Sequence, residues 1–282
     1  MSRRQIFNLF YYSHIPLALL ASLLTASISM VINSQLNWNV ILLVGLSTFL
    51  TYSIDNLIDW KRDKDQYQSI QDKIECYHKI TYFILPVITI AIILTILKSS
   101  NEFLVSILLL GAVAALGTTR FANYRMNSSD SKQPIRMFFL NRIFISIVWS
   151  IVCIFVPLWY EGLRTTTLTW HTFLYIFSIV LIYAIFWKLE RSPALLKKRL
   201  YQSGLLRILP ILPLVSIIIV FIDIFFGIRP IHNLINLLPP VICILASYRM
   251  NKYPFLLRNK LTYMTLGLVL STSLSLLVHL LF

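Results

Sequence analysis

Charge is what this chain has least of. Only 13% of its 282 residues are Asp, Glu, Lys or Arg, about half of what a soluble domain carries, so an ordinary water-exposed globule is excluded. Acids are scarcer still, with 11 Asp and Glu against 25 Lys and Arg. The three cysteines, Cys76, Cys153 and Cys243, stand alone, without CxxC spacing or a nearby histidine in a ligand pattern. They are expected to be small apolar fillers rather than metal ligands or disulfide partners. A cleavable secretory signal is not expected, because Ile15–Ile32 is long enough to span a bilayer and lacks a clear cleavage site. There is no internal repeat, low-complexity linker or soluble domain, so residues 1–282 are expected to form one domain.

In place of charge there is apolar surface: 57% of residues are hydrophobic and the mean hydropathy is +0.75. About 20 apolar residues cross the hydrocarbon core as a helix. By that measure spans are expected near 14–33, 38–56, 79–98, 102–119, 138–159, 170–188, 207–226, 232–248 and 262–282. The eighth is the weakest, because Pro239-Pro240 interrupts it; Pro86, Pro210 and Pro213 are tolerable where neighbours satisfy the freed backbone groups.

The net charge of +14 does not point to nucleic acid, because the cations sit in short segments between apolar runs. With the N-terminus inside, 22 of the 25 Lys and Arg fall on the inner side, leaving only Lys98, Arg164 and Arg229 outside. That asymmetry orients membrane proteins, and it predicts an all-α bundle of about nine transmembrane helices, N-terminus inside and C-terminus outside. Trp38, Trp159 and Trp170 fall where an interfacial aromatic belt belongs.

The first inner segment holds the sharpest pattern, Asp55, Asn56, Asp59, Arg62 and Asp63 within 52–65. Asp55, Asp59 and Asp63 are spaced i, i+4, i+8. If the helix continues past the membrane surface, each step turns only about 40° and rises about 6 Å, aligning three carboxylates. Like charges so placed destabilise a helix by a few tenths of a kcal/mol each, and a divalent cation would remove that cost. Oxygen ligands of this kind suit Mg²⁺, which takes one or two carboxylates plus waters and phosphate oxygens. The plainer alternative is a solvated helix end where Lys61, Arg62 and Lys64 pair with the acids.

Asp55-Asn56-x-x-Asp59-x-x-x-Asp63 resembles the first aspartate-rich motif, N-D-x-x-D-x-x-x-D, of the UbiA superfamily of intramembrane prenyltransferases, with the first two residues exchanged. Nine helices, N-terminus inside and this motif at the inner end of the second helix are also the family's layout. The stretch from Tyr124 through Lys132 and Arg136 to Asn141-Arg142 is similar to the family's tyrosine, basic and Lys-Asn stretch. The resemblance implies Mg²⁺ held by Asp55, Asp59 and Asp63, and a diphosphate contacted by Arg62, Tyr124, Lys132, Arg136, Asn141, Arg142, Lys188 and Arg191. It also implies catalytic roles for Asp55, Asn56, Asp59 and Asp63. The family's second motif, D-x-x-x-D, is lost: Trp187 and Arg191 fall on its aspartate positions, leaving Glu190 as the only acid and candidate metal ligand there. Arg191, Lys188 or the basic cluster Lys197-Lys198-Arg199 would then supply the missing positive charge; topology and anionic-lipid contact explain that cluster equally well.

The activity so implied is transfer of an isoprenoid from its diphosphate to an apolar acceptor lipid within the membrane, in a bacterial plasma membrane or a thylakoid-type membrane. A terpene cyclase would use the same ionisation, and a non-catalytic lipid- or quinone-binding subunit would explain the lost motif. Ion-coupled carriers place charges at mid-membrane, whereas the acids here cluster at helix ends and Asp223 lies towards the outer side. A CDP-alcohol phosphotransferase motif needs glycines that 52–75 lacks. His14 and Tyr183 are further residues that a cavity for the isoprenoid tail would use, although aromatic residues in spans ordinarily pack or face lipid.

Overall fold

The computed structural model describes residues 15–33, 35–62, 71–100, 103–111, 133–191, 209–229, 231–252 and 257–281. Among them are nine α-helical segments and no strand: α1 (Ile15–Asn33), α2 (Trp38–Arg62), α3 (Gln71–Leu97), α4 (103–111), α5 (Gln133–Tyr160), α6 (Thr167–Arg191), α7 (Leu212–Phe225), α8 (Leu238–Lys252) and α9 (Leu257–Leu281). Short 3₁₀ turns, Leu209–Ile211 and Ile231–Leu237, lead into α7 and α8. Helix is the structure these residues require. Apolar side chains leave the backbone without water, and a helix pairs each N–H and C=O within one segment.

Four of the helices are long and apolar enough to cross a membrane, over Ile15–Ile32, Phe138–Tyr160, Thr167–Phe186 and Met264–Leu281. Shorter apolar stretches run over Trp38–Ile54, Thr81–Leu97, Leu209–Phe225 and Asn233–Tyr248. Large apolar side chains are not confined to the core. Phe83, Phe225 and Leu270 lie on the surface, two-thirds exposed or more, and a surface of this kind suits lipid rather than water.

α1 packs against α2, α5 and α9, and the order α5, α6, α7, α8, α9 completes a ring that closes on α1. α3 lies against α2, outside that ring. Leu17, Leu24, Ile154, Ile176, Ile179 and Phe186 form its buried centre. α1 and α2 approach closely at Gly45, where an added Cβ would run into the Ser22 hydroxyl. Cys153 and Cys243 are buried free thiols, as expected for fillers.

Among the described residues the helices fall within or extend the expected apolar stretches, of which 102–119 is described only over 103–111, with one correction. Pro239 and Pro240 do not interrupt a helix; they occupy the first turn of α8. There a missing N–H has no helical partner to lose, and the fixed φ of proline suits the start. The residues before them form 3₁₀ turns instead. α2, α3 and α5 also run past their apolar stretches, all at the end of the bundle where α2 finishes. That end is called the acid end below. The other end carries Trp38 and Trp170, both more than half exposed, and is called the tryptophan end.

Candidate functional site

At the acid end, α2 is helical without a break to Arg62, so Asp55 and Asp59 occupy successive turns, the register expected of them. Asp63, Tyr124, Lys132 and His14 lie outside the described residues, as do Lys197, Lys198 and Arg199. The backbone carries Asn56 and Arg62 on α2, Arg136 in the first turn of α5, and Lys188, Glu190 and Arg191 in the last turn of α6. The side chains of these residues, and of Asp55 and Asp59, are likewise outside what is described.

The side chains just above the acids are described, and they set how α2 meets α5. Ser53 and Leu57 are buried, and the Tyr52 ring meets Trp149 edge to face with centroids 5.9 Å apart. Asp59 lies seven residues beyond Tyr52, and Arg142 lies seven residues from Trp149 in the same spatial direction, because the two helices run oppositely. Seven residues rise about 10.5 Å and end only about 20° short of two full turns. Backbone register alone therefore puts Asp59 and Arg142 at about one level along the antiparallel α2 and α5. Asn141 and Arg142 are half-buried, and the Arg142 carbonyl accepts a hydrogen bond from Ser146 Oγ at 2.7 Å. α6 packs on α5 and finishes at the same end of the bundle, with Phe186 and Leu189 buried. Tyr183, considered as a cavity residue, is buried with its hydroxyl 3.1 Å from Thr265 Oγ1, which is a packing role.

Asp55 and Asp59 are the residues on α2 that could hold a metal ion such as Mg²⁺. Carboxylates on successive turns of one unbroken helix match an ion that takes one or two of them and fills its other positions with water and phosphate oxygens. α6 offers no second pair, since Glu190 is the only acid in its last turn.

The tryptophan end holds a buried polar network that the sequence reading passed over. Asp223 on α7 is fully buried, and Arg229, in the turn that follows, is 3% exposed. Arg229 Nε lies 2.7 Å from Asp223 Oδ2 but off the hydrogen-bonding direction, so the contact is an ion pair. His171 Nδ1, from α6, lies 2.5 Å from Asp223 Oδ1. Arg229 Nη2 donates to Thr172 Oγ1 at 2.9 Å. The turn is tight because Gly227 takes φ +68° and the amides of Ile228 and Arg229 both donate to the Asp223 carbonyl. Burial pulls the Arg229 guanidinium below its ordinary pKa, and the carboxylate beside it works the other way.

A second hub lies next to this one. The Tyr175 hydroxyl donates to the Asn236 carbonyl at 2.8 Å, and Asn236 Nδ2 donates to Asn233 Oδ1 at 2.9 Å. Nδ2 also lies 3.4 Å from His279 Nε2, and Ser275 Oγ donates to Asn236 Oδ1. These contacts pin the 3₁₀ stretch Ile231–Leu237 to α6 and α9. Non-helical backbone in apolar surroundings persists only where the protein itself supplies partners. The signal that could have found the network was Asp223 alone in an otherwise uncharged run, with Arg229 six residues on. At the same end, a cleft of about 680 Å³ opens between the α1–α2 and α5–α6 connections, with Gln35, Asn37, Tyr160 and Arg164 among its lining residues. No family model, curated protein or solved structure matches the chain.

Proposed function

We propose that the chain is a multi-pass membrane protein of nine spans, N-terminus inside, that binds a prenyl diphosphate at the acid end and transfers its isoprenoid to an apolar acceptor. One observation carries this reading: the unbroken α2 keeps Asp55 and Asp59 in helical register, and the Tyr52–Trp149 contact brings Arg142 level with Asp59. Acids in helical register on one helix and an Arg at the same level on its antiparallel neighbour would suit a metal–diphosphate pair, in which acids hold the ion and Arg holds phosphate oxygens. The resemblance of Asp55-Asn56-x-x-Asp59-x-x-x-Asp63 to the prenyltransferase motif supports the same assignment. So does the charge asymmetry along the sequence, which supports the acid end as the inner face.

In this reading Mg²⁺, when bound, neutralises the diphosphate so that it leaves. Asp55, Asn56, Asp59 and Asp63 hold and orient that end of the substrate. Arg62, Tyr124, Lys132, Arg136, Asn141, Arg142 and Lys188 surround the phosphate oxygens. Arg191 replaces a lost aspartate-bound ion with a guanidinium, which contacts two phosphate oxygens at once, and Glu190 is the one acid left on that side. Breaking the C–O bond to the diphosphate would leave an allylic cation, the acceptor would bond to it and lose a proton, and the apolar bundle would keep water from that cation.

Turnover of radiolabelled geranylgeranyl and farnesyl diphosphates in membranes carrying the protein, with and without Mg²⁺, tests the proposal. Mg²⁺-dependent transfer or cyclisation supports it. A protein that binds neither diphosphate at any Mg²⁺ concentration is a lipid binder without this chemistry, the outcome that the loss of acids from the end of α6 favours.

A further inference from the structure

The connection between α7 and α8 is inside out for a loop that meets water. Among the described side chains from 221 to 238, the polar ones, Asp223, Arg229, Asn233 and Asn236, are all buried. The exposed ones are all apolar, with Phe225, Phe226 and Ile231 at 84%, 70% and 74%. A turn in water keeps its charged and amide side chains outside. The α5–α6 connection at the same end does so, with Arg164, Thr165 and Thr166 exposed. Of the three cations that the sequence places at this end, Lys98 and Arg164 are exposed, while Arg229 is turned into the protein.

Contacts with α6 fix how far the connection reaches. The chain leaves α7 with Asp223 against His171, and by Arg229 it has come back to Thr172. It then descends further, since Tyr175 holds the Asn236 carbonyl. These three partners lie about 6, 7.5 and 12 Å along α6 from its first residue, Thr167. Both ends of the connection are therefore beneath the α5–α6 turn. Between Asp223 and Arg229 the chain has little room to rise, because Gly227 at φ +68° and two amides on the Asp223 carbonyl close a tight loop. Trp170, more than half exposed, precedes His171 by one residue, which puts the loop level with a residue type that marks the boundary of headgroups and acyl chains. Irregular backbone is tolerated at such depth where its polar groups have partners in the protein. The exposed apolar side also continues the outer face of α7, where Phe221 and Ile222 are exposed.

We propose that the α7–α8 connection does not emerge into water but lies immersed at the level of Trp170, its outer side covered by the acyl chains of the leaflet at that end. This rests on the membrane-spanning reading above and not on prenyl transfer. It leaves Lys98 and Arg164 as the exposed cations of the tryptophan end and takes Arg229 off the aqueous surface.

Two labels on the unmodified full chain in nanodiscs test this, each read by mass spectrometry. A phosphatidylcholine with a diazirine on its acyl chain marks residues that touch lipid, and hydroxyl radicals mark residues that touch water. Rates are taken relative to the same residue in free peptides. Phe225, Phe226 and Ile231 should take up the lipid label as Phe221 does, and should oxidise more than about fivefold more slowly than Leu163 of the α5–α6 turn, because water is scarce among acyl chains. Oxidation at the rate of Leu163 would overturn the proposal. Protection from both reagents would also overturn it, since a second copy or another protein would then cover the turn. Oxidation of Leu214 and Ile218, exposed on α7, as fast as Leu163 would refute the spanning reading itself and the proposal with it. Absence of prenyl-diphosphate turnover would leave all these results unchanged.

Discussion

Asp223→Ala leaves the Arg229 guanidinium buried at 3% exposure with Thr172 as its remaining side-chain partner. Two charges about 4 Å apart attract by about 4 kcal/mol at an effective dielectric constant of 20. Breaking a buried pair from one side costs about 3–5 kcal/mol, so two independent routes give the same size. The compensated variant Asp223→Leu with Arg229→Met removes both charges and keeps apolar volume. Replacing a buried pair in that way is often neutral or stabilising. Thermal unfolding in detergent should therefore show a fall of roughly 10 °C for the single variant and recovery of most of it in the double. The reasoning fails if the double variant is as unstable as the single, because the defect would then lie in lost shape or lost turn geometry and not in the stranded cation.

Asp59→Ala should abolish prenyl-diphosphate turnover while Asp65→Ala, outside the i, i+4, i+8 spacing of Asp55, Asp59 and Asp63, leaves most of it; equal losses would make the acids a generic surface. Arg191→Ala should weaken diphosphate binding about tenfold, or 1.4 kcal/mol, in a calorimetric titration with a non-hydrolysable analogue, and unchanged binding would discard Arg191 as the replacement cation. Cysteines introduced near Lys64 and Lys198 should be labelled from the same membrane face; labelling from opposite faces would refute the nine-span arrangement. Gly45→Leu should destabilise by about 1–3 kcal/mol through overpacking, since even a Cβ meets Ser22, and an unchanged unfolding midpoint would show that α1 and α2 can separate without loss.

Where the helices lie was legible in the sequence, because an apolar run of bilayer length leaves the backbone few alternatives. Where they start and stop was less so. Pro239-Pro240 read as an interruption because proline's effect depends on position within a helix, and a sequence does not show that a 3₁₀ stretch precedes α8. The register of Asp55 and Asp59 was readable from spacing alone. That Arg142 comes level with Asp59 was not, since it depends on which residues of α2 and α5 touch. Asp223 was noticed as an acid near one end of its span, but its partners are 6 and 52 residues away along the chain. Such pairing is set by packing between helices, and no local pattern records it.

Both polar atoms of the Asn236 side chain are engaged, Nδ2 by Asn233 and His279 and Oδ1 by Ser275, and its backbone carbonyl is held by Tyr175 as well. Sliding α6 or α9 by one helical turn, about 5.4 Å, would break several of these contacts together. The bundle is therefore clamped like a hand fan at its rivet. On the proposed function, an opening that admits the isoprenoid would splay the free ends, which carry Asp55, Asp59 and Arg142.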